Sequence, residues 1–299
     1  MIKIKFNQGL LERHLVEIVP KIETAILNID RSSLSDESKK CLDYLSKETI
    51  VKLLESDTTA LKEHIDYFLI HYPSSMENES ELNGLLRDIF ENEYTLWGGR
   101  KKYGAYSFVQ TLDLKTCPYC NRNYTFVVNK TDGKLRPEID HFYPKSIYPF
   151  LAMSFYNLIP SCSICNHTKS NKVKENLENP YDVEEGSYRF TYVPKSIEFS
   201  VVKKEKYDFD SFEIELRGNE SNIELFKLEE LYKQHKDIVL ELLIKKAYYP
   251  QSYIKELSNF GFSQDEVYRY LFSNYNQDDD LHKRPLSKLV LDISKELKL

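Results

Sequence analysis

No apolar run in this 299-residue chain approaches the ~20 residues a helix needs to cross a bilayer. The N-terminus, MIKIKFNQGLLERHLVEIV, has an acidic residue before any long apolar stretch and no small-residue cleavage site. It does not read as a signal peptide, and a cytoplasmic location is the expectation. There is no internal repeat and no low-complexity tract. Hydrophobic residues (41%) and charged residues (29%) are mixed throughout, which excludes long disorder. Cysteine is scarce: five residues, an odd number, which argues against a disulfide framework and for metal binding. No segment reads as a recognition helix with a second domain to match, so any nucleic-acid specificity should be low or imposed by a partner.

Four of the five cysteines form two Cys-x-x-Cys pairs, Cys117/Cys120 and Cys162/Cys165. Redox catalysis would need a single pair at the strand-to-helix turn of a βαβ unit, and that context is missing. Four thiolates in two such pairs can instead close a tetrahedral zinc site. Between the pairs lies Asp140-His141, and Asn166 directly follows the last cysteine, with Lys169 three residues on. Cys41 stands alone as a small core or surface residue.

The formal charge of −6 looks unsuited to a nucleic-acid partner until it is divided along the chain. Residues 100–174 hold twelve Lys/Arg against four acids, net +8, so the remainder carries −14. Four thiolates and one zinc ion would leave this segment near +6. The basic stretch coincides with the candidate chemistry, as phosphate binding requires. A solvated lysine-rich surface is the plainer explanation. The 22 tyrosines fall mostly at helical or alternating spacings, which favours core packing over base stacking.

The expected fold class is α+β, a mostly helical chain with a small antiparallel sheet in its C-terminal half. Residues 1–98 place apolar residues at three- and four-residue spacings in LLERHLVEIV, CLDYLSKETIVKLLES, TALKEHIDYFLIHY and ELNGLLRDIFENEY. Breaks are expected at Pro20, at 31–35 and at Pro73-Ser74-Ser75. His14, His64 and His71 there lack acid or cysteine partners and read as structural. Residues 99–185 form the candidate catalytic region. TFVVN and KLRPEIDHF flank the turn signal Lys130-Thr131-Asp132-Gly133, which predicts a β-hairpin carrying Asp140-His141. A connecting loop, the second cysteine pair and a polar helix follow. In residues 186–299, SYRFTYVP, SIEFSVVKK and FDSFEIELRG read as strands, and ELFKLEELYKQHKDIVLELLIKKAYY as one long helix. Asp278-Asp279-Asp280 reads as a solvated loop.

Hydrolysis of a phosphodiester needs an activated water, a cation on the phosphate and fixed geometry. His141 suits the role of general base. A hard divalent ion suits the second role, held by few protein oxygens. Asp140 offers a carboxylate and Asn166 an amide oxygen.

The pattern C-x-x-C … D-H … N-L-x-x-x-C-x-x-C-N-x-x-K resembles the HNH (ββα-metal) endonucleases in their zinc-containing form. That resemblance implies a central zinc-pinned ββα-metal module with structural Zn2+ on the four cysteines and catalytic Mg2+ or Mn2+ on Asp140 and Asn166. It makes His141 the general base and Asn157 the residue that braces the loop holding that histidine, with Lys169 near phosphate. Lys145 and Arg136 are further candidate phosphate contacts or plain surface residues. The sequence departs from the motif in that the nearby second histidine is His167, one place beyond the motif position, and its role stays open.

The segments TCPYCNRNYTF, RPEIDHFYPKSIYPFLAMSFYNLIPSCSICNHTKSNK and HKRPLSKLVLDI also resemble the PtuB nuclease subunits of Septu-type and retron-associated anti-phage systems. This implies a nuclease, with DNA the expected substrate, working with a PtuA-like ABC-type ATPase, and makes the helical flanks, residues 1–98 among them, partner-docking surfaces. The alternatives are a non-catalytic zinc module that binds nucleic acid or scaffolds the ATPase, and an effector that cleaves RNA such as tRNA.

Overall fold

Pro20 does not interrupt the first helix. In the computed structural model, which describes residues 1–130, 133–195, 210–248, 256–257 and 259–299, α1 runs Gln8–Leu27 through that proline. An interior proline removes one helical N–H bond and crowds the preceding turn. Here Ile18, Val19, Ile22 and Ile26 are all buried along the helix, and their packing outweighs that loss. Asn7 caps the start by accepting from the Leu10 N–H. The stretch read as one helix from Cys41 splits into α2 (Asp36–Tyr44) and α3 (Lys47–Glu55). Leu45 closes the first, its N–H donating to the Cys41 carbonyl, and Ser46 caps the second through Thr49 N. Next come α4 (Thr58–His71), α5 (Glu81–Leu86), a widened π turn (Arg87–Glu91), α6 (Asn92–Gly98) and α7 (Ala105–Leu112). Among the described residues no helix is long and apolar enough to cross a membrane.

The chain forms two compact units, one of residues 4–114 and 125–173, the other of residues 1–3, 115–124 and 174–299. The three consecutive segments read from the sequence do not coincide with these units. Patterning marks where character changes along the chain, not which segments close on one another.

The core of the first unit is aromatic and has a histidine at its centre. His14 lies edge-on to Trp97, Tyr103 and Phe155. Its Nε2 is 2.7 Å from the Met153 carbonyl and its Nδ1 2.8 Å from the Tyr103 hydroxyl. A carbonyl only accepts, so Nε2 carries the proton and Nδ1 accepts from Tyr103. Burial lowers the pKa of His14 from 6.5 to about 4. The unfolded chain therefore binds a proton near pH 6.5 that the fold refuses until about pH 4. The stabilisation is full above pH 6.5 and falls by about 1.4 kcal/mol per pH unit between those limits. Urea unfolding at pH 7 and pH 4.5 should show a shallower loss for His14→Gln than for the wild type; equal slopes would contradict this account.

The predicted hairpin is present, with β1 (Val128–Lys130) antiparallel to β2 (Gly133–Leu135), but it does not carry Asp140-His141. Pro137 has no N–H to extend that ladder. The chain then enters a separate strand, β3 (Glu138–His141), paired antiparallel with β4 (Leu158–Ser161) in the register Asp140↔Ile159 and His141↔Leu158. The segment expected to be only a connecting loop thus supplies the partner strand. Helix α8 (Ser163–Lys169) follows β4 directly and packs on β3.

In the second unit β5 (Arg189–Pro194) pairs antiparallel with β6 (Phe212–Arg217), as the alternating pattern predicts. SIEFSVVKK lies outside the described residues. The expected long helix is broken into α9 (Glu220–Leu225), α10 (Leu228–Tyr232) and, after a 3-10 turn, α11 (Lys236–Tyr248). Lys227 adopts a left-handed conformation (φ 51°) at the first break. α12 (Gln264–Phe272) and α13 (Ser287–Leu297) complete the described part. The buried Asp292 of α13 accepts from Phe190 N of β5 at 2.9 Å and from Lys288 Nζ at 2.7 Å, which ties helix to sheet.

Candidate metal and catalytic site

The four paired cysteines are buried and free of disulfides, and their Sγ atoms all lie within 4.8 Å of one another. A tetrahedral zinc ion with Zn–S bonds of about 2.3 Å needs sulfur–sulfur edges of about 3.8 Å, so the cluster fits that ion. Local backbone geometry prepares the cluster. Asn121 adopts a left-handed conformation (φ 48°) that turns the chain behind the first pair. Its N–H donates to the Cys117 carbonyl at 2.7 Å, and Arg122 N approaches Cys120 Sγ at 3.4 Å. Such N–H donors stabilise a thiolate held by a metal. Cys162 immediately precedes α8 and Cys165 lies in its first turn. The remaining cysteine, Cys41, is a core residue whose thiol burial pushes up to about 12.

His141 ends β3. Its Nε2 is 2.9 Å from the Ala152 carbonyl, so this nitrogen carries the proton and Nδ1 keeps its lone pair. Tyr94 packs edge-on at 4.5 Å and its hydroxyl meets the Ile139 carbonyl. Burial drives the pKa of His141 from 6.5 to about 3, so the ring is neutral at physiological pH. The loop that follows is held by Asn157. Its Oδ1 accepts from Tyr143 N at 2.6 Å, while Nδ2 donates to the carbonyls of Tyr143 and Leu151 at 3.0 and 2.9 Å. All three of those bonds secure the loop that presents Ala152 to the histidine.

Asp140 is buried, and Lys169 Nζ lies 3.2 Å from both of its carboxylate oxygens. The same ammonium donates to the His141 carbonyl at 2.6 Å. Lys169 is therefore a fully buried clamp between α8 and β3. Its charge faces Asp140 and the His141 carbonyl inside the fold, and burial lowers its pKa against the opposing pull of Asp140.

Asn166 points its Nδ2 at Glu138 Oε2, 2.6 Å away, and His167 Nε2 lies 3.5 Å from Glu138 Oε1. Glu138 was not among the residues singled out in the sequence. The signal was available, because residues i and i+2 of a strand share a face and Glu138 stands two before Asp140. The oxygen donors Asp140 and Asn166 match the preference of a hard divalent cation.

The basic segment is more neutralised than its composition suggests. Lys145 bonds Glu91 at 3.0 Å, Lys174 bonds Glu224, and Arg100 pairs with Glu93. Arg136 donates to the Pro137 carbonyl and sits over the Tyr106 ring. Lys130 and Lys134 remain exposed on the β1–β2 hairpin.

These features define an α+β protein with a four-cysteine cluster fit for zinc and a histidine-bearing strand pair followed by a helix. Among known proteins, Septu protein PtuB from Bacillus thuringiensis is a distant relative, 31% identical over 110 residues. That alignment covers 36% of this chain and 38% of the relative. No family model matches the chain, and no solved structure matches it.

Proposed function

We propose that this chain is a divalent-metal-dependent endonuclease of the HNH type, the effector of an anti-phage defence complex with a PtuA-like ABC-type ATPase. The observation that carries the reading is the Nε2 bond from His141 to the Ala152 carbonyl, which fixes a neutral imidazole with its lone pair on Nδ1. The likeness to Septu protein PtuB supports the defence role. Zinc on the four cysteines is structural, holding α8 at its first turn.

In the reaction, His141 Nδ1 takes a proton from water as the water oxygen forms a bond to phosphorus. The P–O bond to the leaving oxygen breaks, and that oxygen is protonated by solvent. Asp140 and Asn166 would hold a divalent cation, which would supply charge stabilisation to the phosphate and the leaving oxygen. The imidazolium that forms would be costly in a buried site, but the adjacent phosphate anion offsets that cost. Asn157 keeps the base oriented through the loop. DNA is the expected substrate.

The burial of His141 and the hold of Lys169 on Asp140 favour a second reading, a non-catalytic zinc module. One assay separates the two. Wild type and His141→Ala are incubated with supercoiled plasmid and with total RNA, with magnesium or manganese, with and without the ATPase. Loss of general-base catalysis should lower cleavage by about 10²–10⁴-fold in the variant, with zinc and melting temperature retained. Absence of His141-dependent cleavage from every substrate would transfer the assignment to the binding module, and cleavage of RNA alone would replace the substrate.

A further inference from the structure

We infer that Glu138 is a positioning residue that turns the Asn166 amide so that its oxygen, rather than its nitrogen, is offered to the catalytic cation. The inference rests on the nuclease reading above and deepens it.

An asparagine amide can be flipped by 180° with little change in shape, and only one of the two orientations presents oxygen to a metal ion. The partner decides which. A carboxylate only accepts, so the Asn166 group 2.6 Å from Glu138 Oε2 must be the NH2. The amide oxygen is then directed away from Glu138, and among the described residues no hydrogen bond engages it, so it can be offered to a hard cation. The other carboxylate oxygen, Oε1, lies 3.5 Å from His167 Nε2, the next residue along α8. Glu138 thus meets two consecutive residues of the helix, one through each oxygen. This gives His167, three-quarters exposed, a supporting role on the carboxylate rather than a place among the cation ligands. Partners one step removed from a metal ion fix ligand orientation in this way, and their loss lowers metal affinity by about 10–100-fold.

The substitutions Glu138→Ala and Glu138→Gln separate positioning from direct ligation. Glutamine retains a carbonyl oxygen that accepts from Asn166 Nδ2, but it lacks the negative charge a cation ligand would supply. Mn2+ binding is measured by electron paramagnetic resonance on the full chain loaded with zinc, alongside the metal dependence of cleavage. Glu138→Ala should weaken Mn2+ binding by about tenfold or more, with cleavage recovering at saturating metal, while Glu138→Gln stays within about threefold of wild type. Zinc content and melting temperature should be unchanged in both variants. Wild-type affinity in Glu138→Ala would overturn the inference. A loss as deep in Glu138→Gln as in Glu138→Ala would also overturn it, because it would make Glu138 a ligand. Asp140→Asn and Asn166→Ala serve as references: a wild type whose Mn2+ binding does not depend on them overturns the nuclease reading itself, whereas dependence on them with indifference to Glu138 overturns this inference alone.

Discussion

Cys165→Ser is expected to release zinc and abolish the cooperative melt of the wild-type protein. A structural zinc site contributes on the order of 10 kcal/mol in small modules, comparable with the whole net stability of about 5–15 kcal/mol of an ordinary domain. Serine is close to cysteine in size, so packing is nearly conserved and the loss is that of the thiolate ligand. The effect should spread from α8, because Cys162 stands at the start of that helix and Cys165 in its first turn. Asn166 follows directly, and Lys169 reaches from the last turn to Asp140 and the His141 carbonyl. Loosening the start of α8 therefore disturbs the proposed cation ligands as well as the zinc. Cys117→Ser should have the same outcome. Around the first pair, the Asn121 side chain binds Thr116 and the Leu281 carbonyl, and Tyr232 donates to the Cys120 carbonyl. Metal analysis and calorimetry check the expectation. One zinc per chain in wild type and little in either variant supports the assignment; full zinc and a native melt in Cys165→Ser would sink it.

The cysteine cluster was legible because ligand spacing is a local property, and both pairs sit within four residues. Asp140, His141 and Asn166 could be picked out for the same reason. Strand pairing was not legible. Leu158-Ile159-Pro160-Ser161 contains a proline, which argues against a strand, and its partner lies about twenty residues away in sequence. A turn signal at 130–133 drew the pairing to the nearer hairpin, and that hairpin does exist, but it ends before Pro137. Pro20 misled in the opposite direction: the local penalty was read correctly, while the buried face that outweighs it is a tertiary property. Glu138 and Lys169 show the limit most clearly. Both are charged residues near the motif, and only the three-dimensional arrangement reveals that one orients an amide while the other is fully buried.

Lys169→Met should destabilise the first unit by about 3–5 kcal/mol, the cost of leaving one member of a buried ion pair without its partner. Methionine approximates the length and volume of lysine, so little of the loss comes from a cavity. What disappears is an ammonium within 3.2 Å of both Asp140 oxygens and 2.6 Å from the His141 carbonyl. The carboxylate remains buried and must either stay charged without that neighbour or take up a proton. A double variant, Lys169→Met with Asp140→Asn, removes the stranded charge and should recover part of the stability. Magnesium or manganese provides the link to function. If Asp140 is a cation ligand, a divalent ion can replace the missing ammonium, so metal should raise the melting temperature of Lys169→Met more than that of wild type. Binding to the folded state alone stabilises in proportion to the logarithm of ligand concentration, and this dependence distinguishes a site from a general salt effect. A loss below about 1 kcal/mol in Lys169→Met would show that the pair is dispensable for stability. A full loss with no rescue by either metal would count against Asp140 as a cation ligand, and would favour the non-catalytic module.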